Sequence, residues 1–240
     1  MDRNCVVVYD ACVLFPAPLR DLLMELGVLS HRNKLFRPKW TDKIHEEWIS
    51  NLLEERTDIK PEALAVTRKL MDGAFEGYEP LVTGYEHRIE SLSLPDANDR
   101  HVLAAAIECT ASIIVTANLK DFPDSQLKQS SVVAKHPDDF ICEFLSDHEE
   151  LGERVLEEAV RNIKKRLKSP TMTWTEIFVS YERNELKRTV EYLREFIPRS
   201  EVIKDDASKT GNATLPAESG EVGNDQLFQE QLKNLRDKKK

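Results

Sequence analysis

Cys5-Val6-Val7-Val8-Tyr9-Asp10 is a compact run of β-branched and aromatic residues that stops on an acid. Consecutive apolar positions without alternation describe a strand buried on both faces, as in a parallel sheet. Ser112-Ile113-Ile114-Val115-Thr116 repeats the pattern, and Ser131-Val132-Val133-Ala134 gives a third such run. Helical periodicities lie between them. Pro18 to Leu26 opens with a proline near its start and closes before Gly27. Asp42 to Glu55 places Ile44, Trp48, Leu52 and Glu55 on one stripe behind a Thr41-Asp42 cap signal. Pro61 to Phe75 and Asp99 to Cys109 behave likewise, the latter carrying Ala104-Ala105-Ala106. Strands alternating with helices predict an α/β fold, a mostly parallel sheet covered on both faces.

Past Pro137 the strand signal ends. Asp138 to Leu145, Glu149 to Leu167, Thr173 to Arg183 and Asn184 to Phe196 read as four helices, with breaks at Asp147 and Ser169-Pro170. This predicts an all-helical appendage. Beyond Pro198 the chain turns polar, with too little apolar surface to offset its ordering entropy, so it reads as a disordered tail. The closing Lys238-Lys239-Lys240 reads as a solvated charge run. The organisation expected is therefore an α/β domain over 1–140, a helical domain over 141–198 and a disordered tail over 199–240.

With 40% hydrophobic and 32% charged residues the chain has enough apolar content for a core and enough charge to stay in water. No apolar run reaches the length of about 18 residues that a membrane helix needs, and the acidic start is wrong for a secretory signal. Cys5, Cys12, Cys109 and Cys142 lie far apart without metal-ligand spacing, which points to free thiols in a reducing, cytoplasmic setting. The net charge of −9 does not exclude a nucleic-acid partner, because acids gathered in one site leave basic stretches elsewhere.

Four clusters carry candidate chemistry. Asp10 ends a buried strand, and strand carboxyl ends line the ligand crevice of open α/β sheets. Pro16 and Pro18 delay the next helix, so Asp10 is not expected to act as a direct helix cap. Asp96 and Asp99 stand at a helix entrance, where capping alone would account for two acids. Thr116, Asn118 and Asp121 follow another strand, in Thr116-Ala117-Asn118-Leu119-Lys120-Asp121, where a side-chain-stabilised turn is the plainer reading. Glu47, three residues past Ile44 and just before Trp48, lies at the edge of a buried stripe, while Glu46 faces water. Gathered carboxylates suit Mg²⁺ or Mn²⁺, hard ions that take oxygen ligands, and His and Cys spacing disfavours zinc.

In this order the clusters resemble the PIN-domain ribonucleases: Val7-Val8-Tyr9-Asp10-Ala11, Ile44-x-x-Glu47-Trp48, Asp96-x-x-Asp99-x-x-Val102-Leu103-Ala104-Ala105-Ala106, and Val115-Thr116-x-Asn118-x-x-Asp121-Phe122. The resemblance covers roughly residues 4 to 140. The helical extension, with Leu167-Lys168-Ser169-Pro170-Thr171-Met172-Thr173, looks like the C-terminal domain of a bacterial subgroup, the VapC-type toxins of toxin–antitoxin pairs. The resemblance implies a PIN-like twisted sheet flanked by helices and RNA hydrolysis with Mg²⁺ or Mn²⁺. It implies Asp10 and Asp99 as primary metal ligands, Asp96 beside them, and Glu47, Asn118 and Asp121 completing the catalytic set. Thr116, Arg100 and Lys120 are expected near the RNA backbone. The implied partners are RNA, a cognate antitoxin and a second copy of the chain. Many relatives carry Asp where Asn118 stands, so one-metal and two-metal arrangements both stay open.

A strand-ending Asp also begins the haloacid-dehalogenase-type phosphatases, but those place a second acid where Cys12 stands here. A PIN-like scaffold that only binds partners would have lost its acids. A PIN nuclease of RNA processing, without a toxin role, is not separable from a toxin by sequence.

Overall fold

The computed structural model describes residues 5–168 and 170–210. The apolar run forms β1 (Cys5–Tyr9), with all five residues buried. It is followed by a one-turn helix α1 (Ala11–Leu14), then α2 (Ala17–Arg32), β2 (Phe36–Lys39), α3 (Asp42–Glu55) and α4 (Pro61–Asp72). The short α5 (Glu86–Ile89) and a 3-10 turn at Ala97–Asp99 lead into α6 (Arg100–Glu108), β3 (Ile113–Val115), α7 (Asp124–Leu127) and β4 (Val133–Lys135). Helices α8 (Pro137–Arg166), α9 (Trp174–Arg183), α10 (Lys187–Phe196) and α11 (Arg199–Thr210) complete the described chain. The sheet has four strands in the order β2-β1-β3-β4, and every pairing is parallel. The expected α/β architecture with a helical C-terminal region is what forms.

Two strands differ from the sequence reading. Phe36-Arg37-Pro38-Lys39 has no β-branched residue, yet it pairs with β1 in the register Cys5↔Phe36 to Val8↔Lys39. Proline gives no hydrogen to a ladder, and an edge strand tolerates it. The strand is held through its faces instead: Phe36 is fully buried, with ring centroids 5.2 Å from Phe140 and 5.7 Å from Phe144. At the other edge Ser131 adopts the left-handed conformation (φ 54°), so the strand begins at Val133 rather than Ser131.

Helix α2 runs through Gly27 to Arg32 instead of stopping at Leu26. Gly27 is a packing position, not a stop signal. A Cβ there would lie 2.9 Å from Cγ of Pro38 and 3.5 Å from the Tyr9 hydroxyl, so the missing side chain lets α2 lie against the sheet. The Tyr9 hydroxyl uses that closeness to donate to the Leu23 carbonyl at 3.1 Å. Helix α3 matches the expected span; Thr41 caps it by accepting from the Ile44 amide at 3.0 Å, and Ile44, Trp48 and Leu52 are buried while Glu55 is exposed.

The expected domain boundary at residues 140 and 141 falls inside α8, which spans 30 residues with a break at Glu149 (φ 46°), close to the expected break at Asp147. Its first turns cover the sheet edge through Phe140 and Phe144, and Asn162 and Arg166 donate to Glu25 of α2 at 2.9 and 2.6 Å. Residues 199–210, expected within the disordered tail, form α11. Its acids are gripped from elsewhere: Arg161 and Trp174 donate to Glu201, the Trp174 amide and Lys164 to Asp205, and Thr175 to Asp206. The remaining tail, 211–240, lies outside the described residues. Among the described residues no helix is long and apolar enough to cross a membrane.

One carboxylate ties α8 to α10 within the helical region. Asp138, buried at the start of α8, accepts from the Arg188 amide at 3.0 Å, the Thr189 amide at 2.8 Å and the Thr189 hydroxyl at 2.7 Å, so it caps α10 from 50 residues away. Asp138→Ala strands these donors at a helix start and is expected to cost about 2 kcal/mol, measured by denaturant unfolding. A loss no larger than that of an exposed acid such as Asp139→Ala would show that the cap carries no stability.

Candidate active site

The register of β1 against β3 sets Tyr9 opposite Val115, so the next residues, Asp10 and Thr116, emerge side by side at the carboxyl edge of the sheet. The Asp10 amide donates to the Val115 carbonyl at 3.1 Å. Its carboxylate is only 5% exposed and is met on both oxygens: Oδ1 by the Ala11 amide at 2.6 Å, Oδ2 by the Thr116 hydroxyl at 2.7 Å and the Cys12 thiol at 3.1 Å. Asp10 is therefore a helix cap after all. The prolines delay α2, but a single turn, α1, fits before them. Burial pushes the Asp10 pKa up, against the downward pull of these donors, and Glu47 adds to the rise.

Two residues around Asp10 belong to its hydrogen-bond network. Thr116, expected at the RNA backbone, is fully buried; its hydroxyl is committed to Asp10 and accepts from the Asn118 amide at 3.0 Å. It helps fix the orientation of the Asp10 carboxylate. Cys12, set aside as the position that excludes a phosphatase, sits inside the network, accepting from the Ala117 amide at 3.2 Å. Burial, then the charge of Asp10, pushes its thiol up to about 12, so at neutral pH it stays a donor.

Asp96 and Asp99 turn out to be different kinds of residue. Asp96 is the cap of the 3-10 turn, its carboxylate accepting from the Asn98 amide at 2.8 Å, and it is exposed. Asp99 occupies the cap position of α6 but makes no capping hydrogen bond, and among the described residues its buried Oδ2 has no partner. Its pKa is pushed up to about 6, first by burial and then by the charges of Asp10, Asp96, Asp121 and Glu47. Capping does not account for it.

The register argument on α3 separates the two glutamates. Glu46 points outward toward Lys43 with its side chain 63% exposed, whereas Glu47 is 27% exposed and its Oε1 lies 2.9 Å from Nε2 of His101. Asn118 donates from Nδ2 to Oδ2 of Asp121, so the amide and the acid form one unit. Lys120 between them is exposed; Arg100 is half-buried and donates to the Ala97 carbonyl at 2.9 Å. His101 and Cys12 are the site residues that sequence reasoning missed. His101 had one signal, a polar ring directly before the buried Val102-Leu103-Ala104, but its partner stands 54 positions away.

Acids from β1, α3, the 3-10 turn and the loop after β3 thus share one electrostatic neighbourhood. Among the described residues no group of three or more His, Cys, Asp or Glu side chains is drawn close enough to hold a metal ion. Asp10, Glu47, Asp96 and Asp121 instead each accept a hydrogen bond from within the chain. The donor set still fits a hard divalent cation: only oxygen donors, mutual repulsion that a cation relieves, and a buried Asp99 oxygen with nothing to satisfy it.

Residues 137–195 match the family model of the VapC50 C-terminal domain. A Mycobacterium tuberculosis protein named "Putative ribonuclease VapC50" is 52% identical over 58 residues, which is 24% of this chain and 34% of that protein. The match spans about a third of the relative's length. No solved structure matches the chain.

Asp99 binds its proton more tightly in the fold than in the unfolded chain. That contribution is complete below the ordinary carboxylate range and is lost as pH rises through about 6. Asp99→Asn, which keeps the site neutral there, is expected to leave stability unchanged near pH 4. Near pH 7.5 in chelator it should add about 1 kcal/mol, the partial exposure of Asp99 being allowed for. An identical difference at both pH values, in denaturant unfolding, would remove the repulsion argument.

Proposed function

We propose that this chain, whose residues 137–195 belong to the VapC50 C-terminal domain family, is a VapC-type ribonuclease that hydrolyses RNA phosphodiesters with Mg²⁺ or Mn²⁺. The observation that carries this reading is Asp99: a carboxylate with a buried, unsatisfied oxygen and a raised pKa, facing Asp10, Glu47 and Asp121 at the carboxyl ends of the sheet. The partial likeness to a ribonuclease-named relative supports it through the helical region, and the parallel sheet agrees with the PIN resemblance.

Asp10 and Asp99, with Asp96 beside them, would hold the cation. When bound, Mg²⁺ or Mn²⁺ supplies charge neutralisation at a phosphodiester and a lowered pKa for attacking water. The chain's own residues prepare for that. Thr116, Cys12 and the Ala11 amide fix both oxygens of Asp10, so its orientation costs no rearrangement when the site fills. Glu47 and Asp121 add their negative charge beside Asp99, which a cation would relieve. Lys120, exposed beside Asp121, would meet a phosphate of the RNA backbone, and Arg100 lies next to Asp99. As a member of a toxin–antitoxin pair the protein would work in the cytoplasm, with an antitoxin as its controlling partner.

Purified protein is expected to cleave RNA with Mg²⁺ or Mn²⁺ and to stop in EDTA. Asp99→Asn and Asp10→Asn should each lower the rate about 100-fold or more, with circular dichroism showing the fold retained. Cleavage that persists in EDTA, or in both variants, would sink the reading. Sequencing RNA ends after brief expression would identify the target.

A further inference from the structure

Glu47 is the site acid with the greatest freedom to leave. Its long side chain hangs from α3, partly exposed, and its charge is opposed by those of Asp10 and Asp99. It is nevertheless held at 2.9 Å by Nε2 of His101. An ionised carboxylate only accepts, so Nε2 carries the hydrogen and donates it.

The histidine itself is buried, 5% exposed, among the apolar residues at the start of α6. Its other nitrogen, Nδ1, is buried without a partner among the described residues. A ring kept for packing alone would be better served by an apolar side chain, since burying a polar ring is costly unless it is hydrogen-bonded. Its hydrogen bond goes to Glu47. His101 also stands two residues after Asp99, so one rigid helix start sets the place of Asp99 directly and of Glu47 through the ring.

Resting on the nuclease reading above, we propose that His101 is a positioning residue that holds Glu47 toward Asp10 and Asp99 before cation or RNA arrives. The acid would otherwise swing to solvent, driven by repulsion and rotamer entropy. Residues that orient the groups around a metal, without touching it, commonly change affinity about 10- to 100-fold when lost.

The test uses full-length protein, Mn²⁺ binding by calorimetry and RNA cleavage. His101→Leu is expected to weaken Mn²⁺ binding about 10-fold and to lower kcat similarly, with KM for RNA little changed. His101→Gln, whose amide nitrogen reaches close to the Nε2 position, should restore most of both. Adding His101→Leu to Glu47→Gln should cost nothing further. Should the leucine variant not fold, His101→Asn, with its amide too short to reach Glu47, takes its place in the same comparison. Wild-type binding and cleavage with an indifferent His101→Leu, or losses that multiply in the double variant, would overturn the role of His101 alone. A wild-type protein that neither binds Mn²⁺ nor cleaves RNA would overturn the nuclease reading, and this inference with it.

Discussion

A carboxylate at the end of a buried strand has to find donors or stay out of the fold, because stripping its water costs several kcal/mol. Asp10 finds them through strand pairing. Only with Tyr9 opposite Val115 does the Thr116 hydroxyl reach Oδ2, and a slip of one residue would present Val115 or Ala117 instead. The single turn of α1 supplies the Ala11 amide and the Cys12 thiol, and that thiol in turn accepts from Ala117. Strand ends, turn and acid are thus satisfied together. The register of the sheet and the geometry of the site are one constraint.

The same electrostatics explains how several acids coexist. Each lateral acid has a tether from within the chain, His101 for Glu47 and Asn118 for Asp121. An arginine in either place would have formed an ion pair and cancelled the negative potential. These donors fix direction, and Asp99, whose Oδ2 has no such tether among the described residues, has its pKa raised first by burial and then by the neighbouring acids.

The helical region is joined to the sheet domain rather than strung beside it. Its first helix packs on Phe36 of the edge strand, Asp138 reaches from that helix to cap α10, and Glu25 of α2 receives Asn162 and Arg166. Buried side chains of both parts form one continuous core, so what α2 and β2 do at the sheet edge bears on the helices beyond. The family likeness of residues 137–195 therefore concerns a region whose opening turns are also part of the covering of the sheet.

Local pattern was enough for β1, β3, α3 and α6, because runs of buried β-branched residues and an apolar stripe at helical spacing are properties of neighbours in the chain. It also ranked Glu47 above Glu46, since register on a helix is local. What lay beyond it shares one physical cause, partners far apart in sequence. Phe-Arg-Pro-Lys becomes a strand because β1 lies beside it, and Gly27 continues a helix because Pro38 approaches. Glu201, Asp205 and Asp206 belong to a helix because two cations, an amide and a hydroxyl from α8 and α9 bind them. At the site, sequence alone determined which acids stand at strand ends and helix starts. Tertiary structure decided what each does there: Thr116 faces inward to Asp10, Asp96 caps while Asp99 does not, and His101 meets Glu47. Hydrogen bonds between distant residues depend on how the strands and helices are set against one another, and no spacing within a single element encodes that.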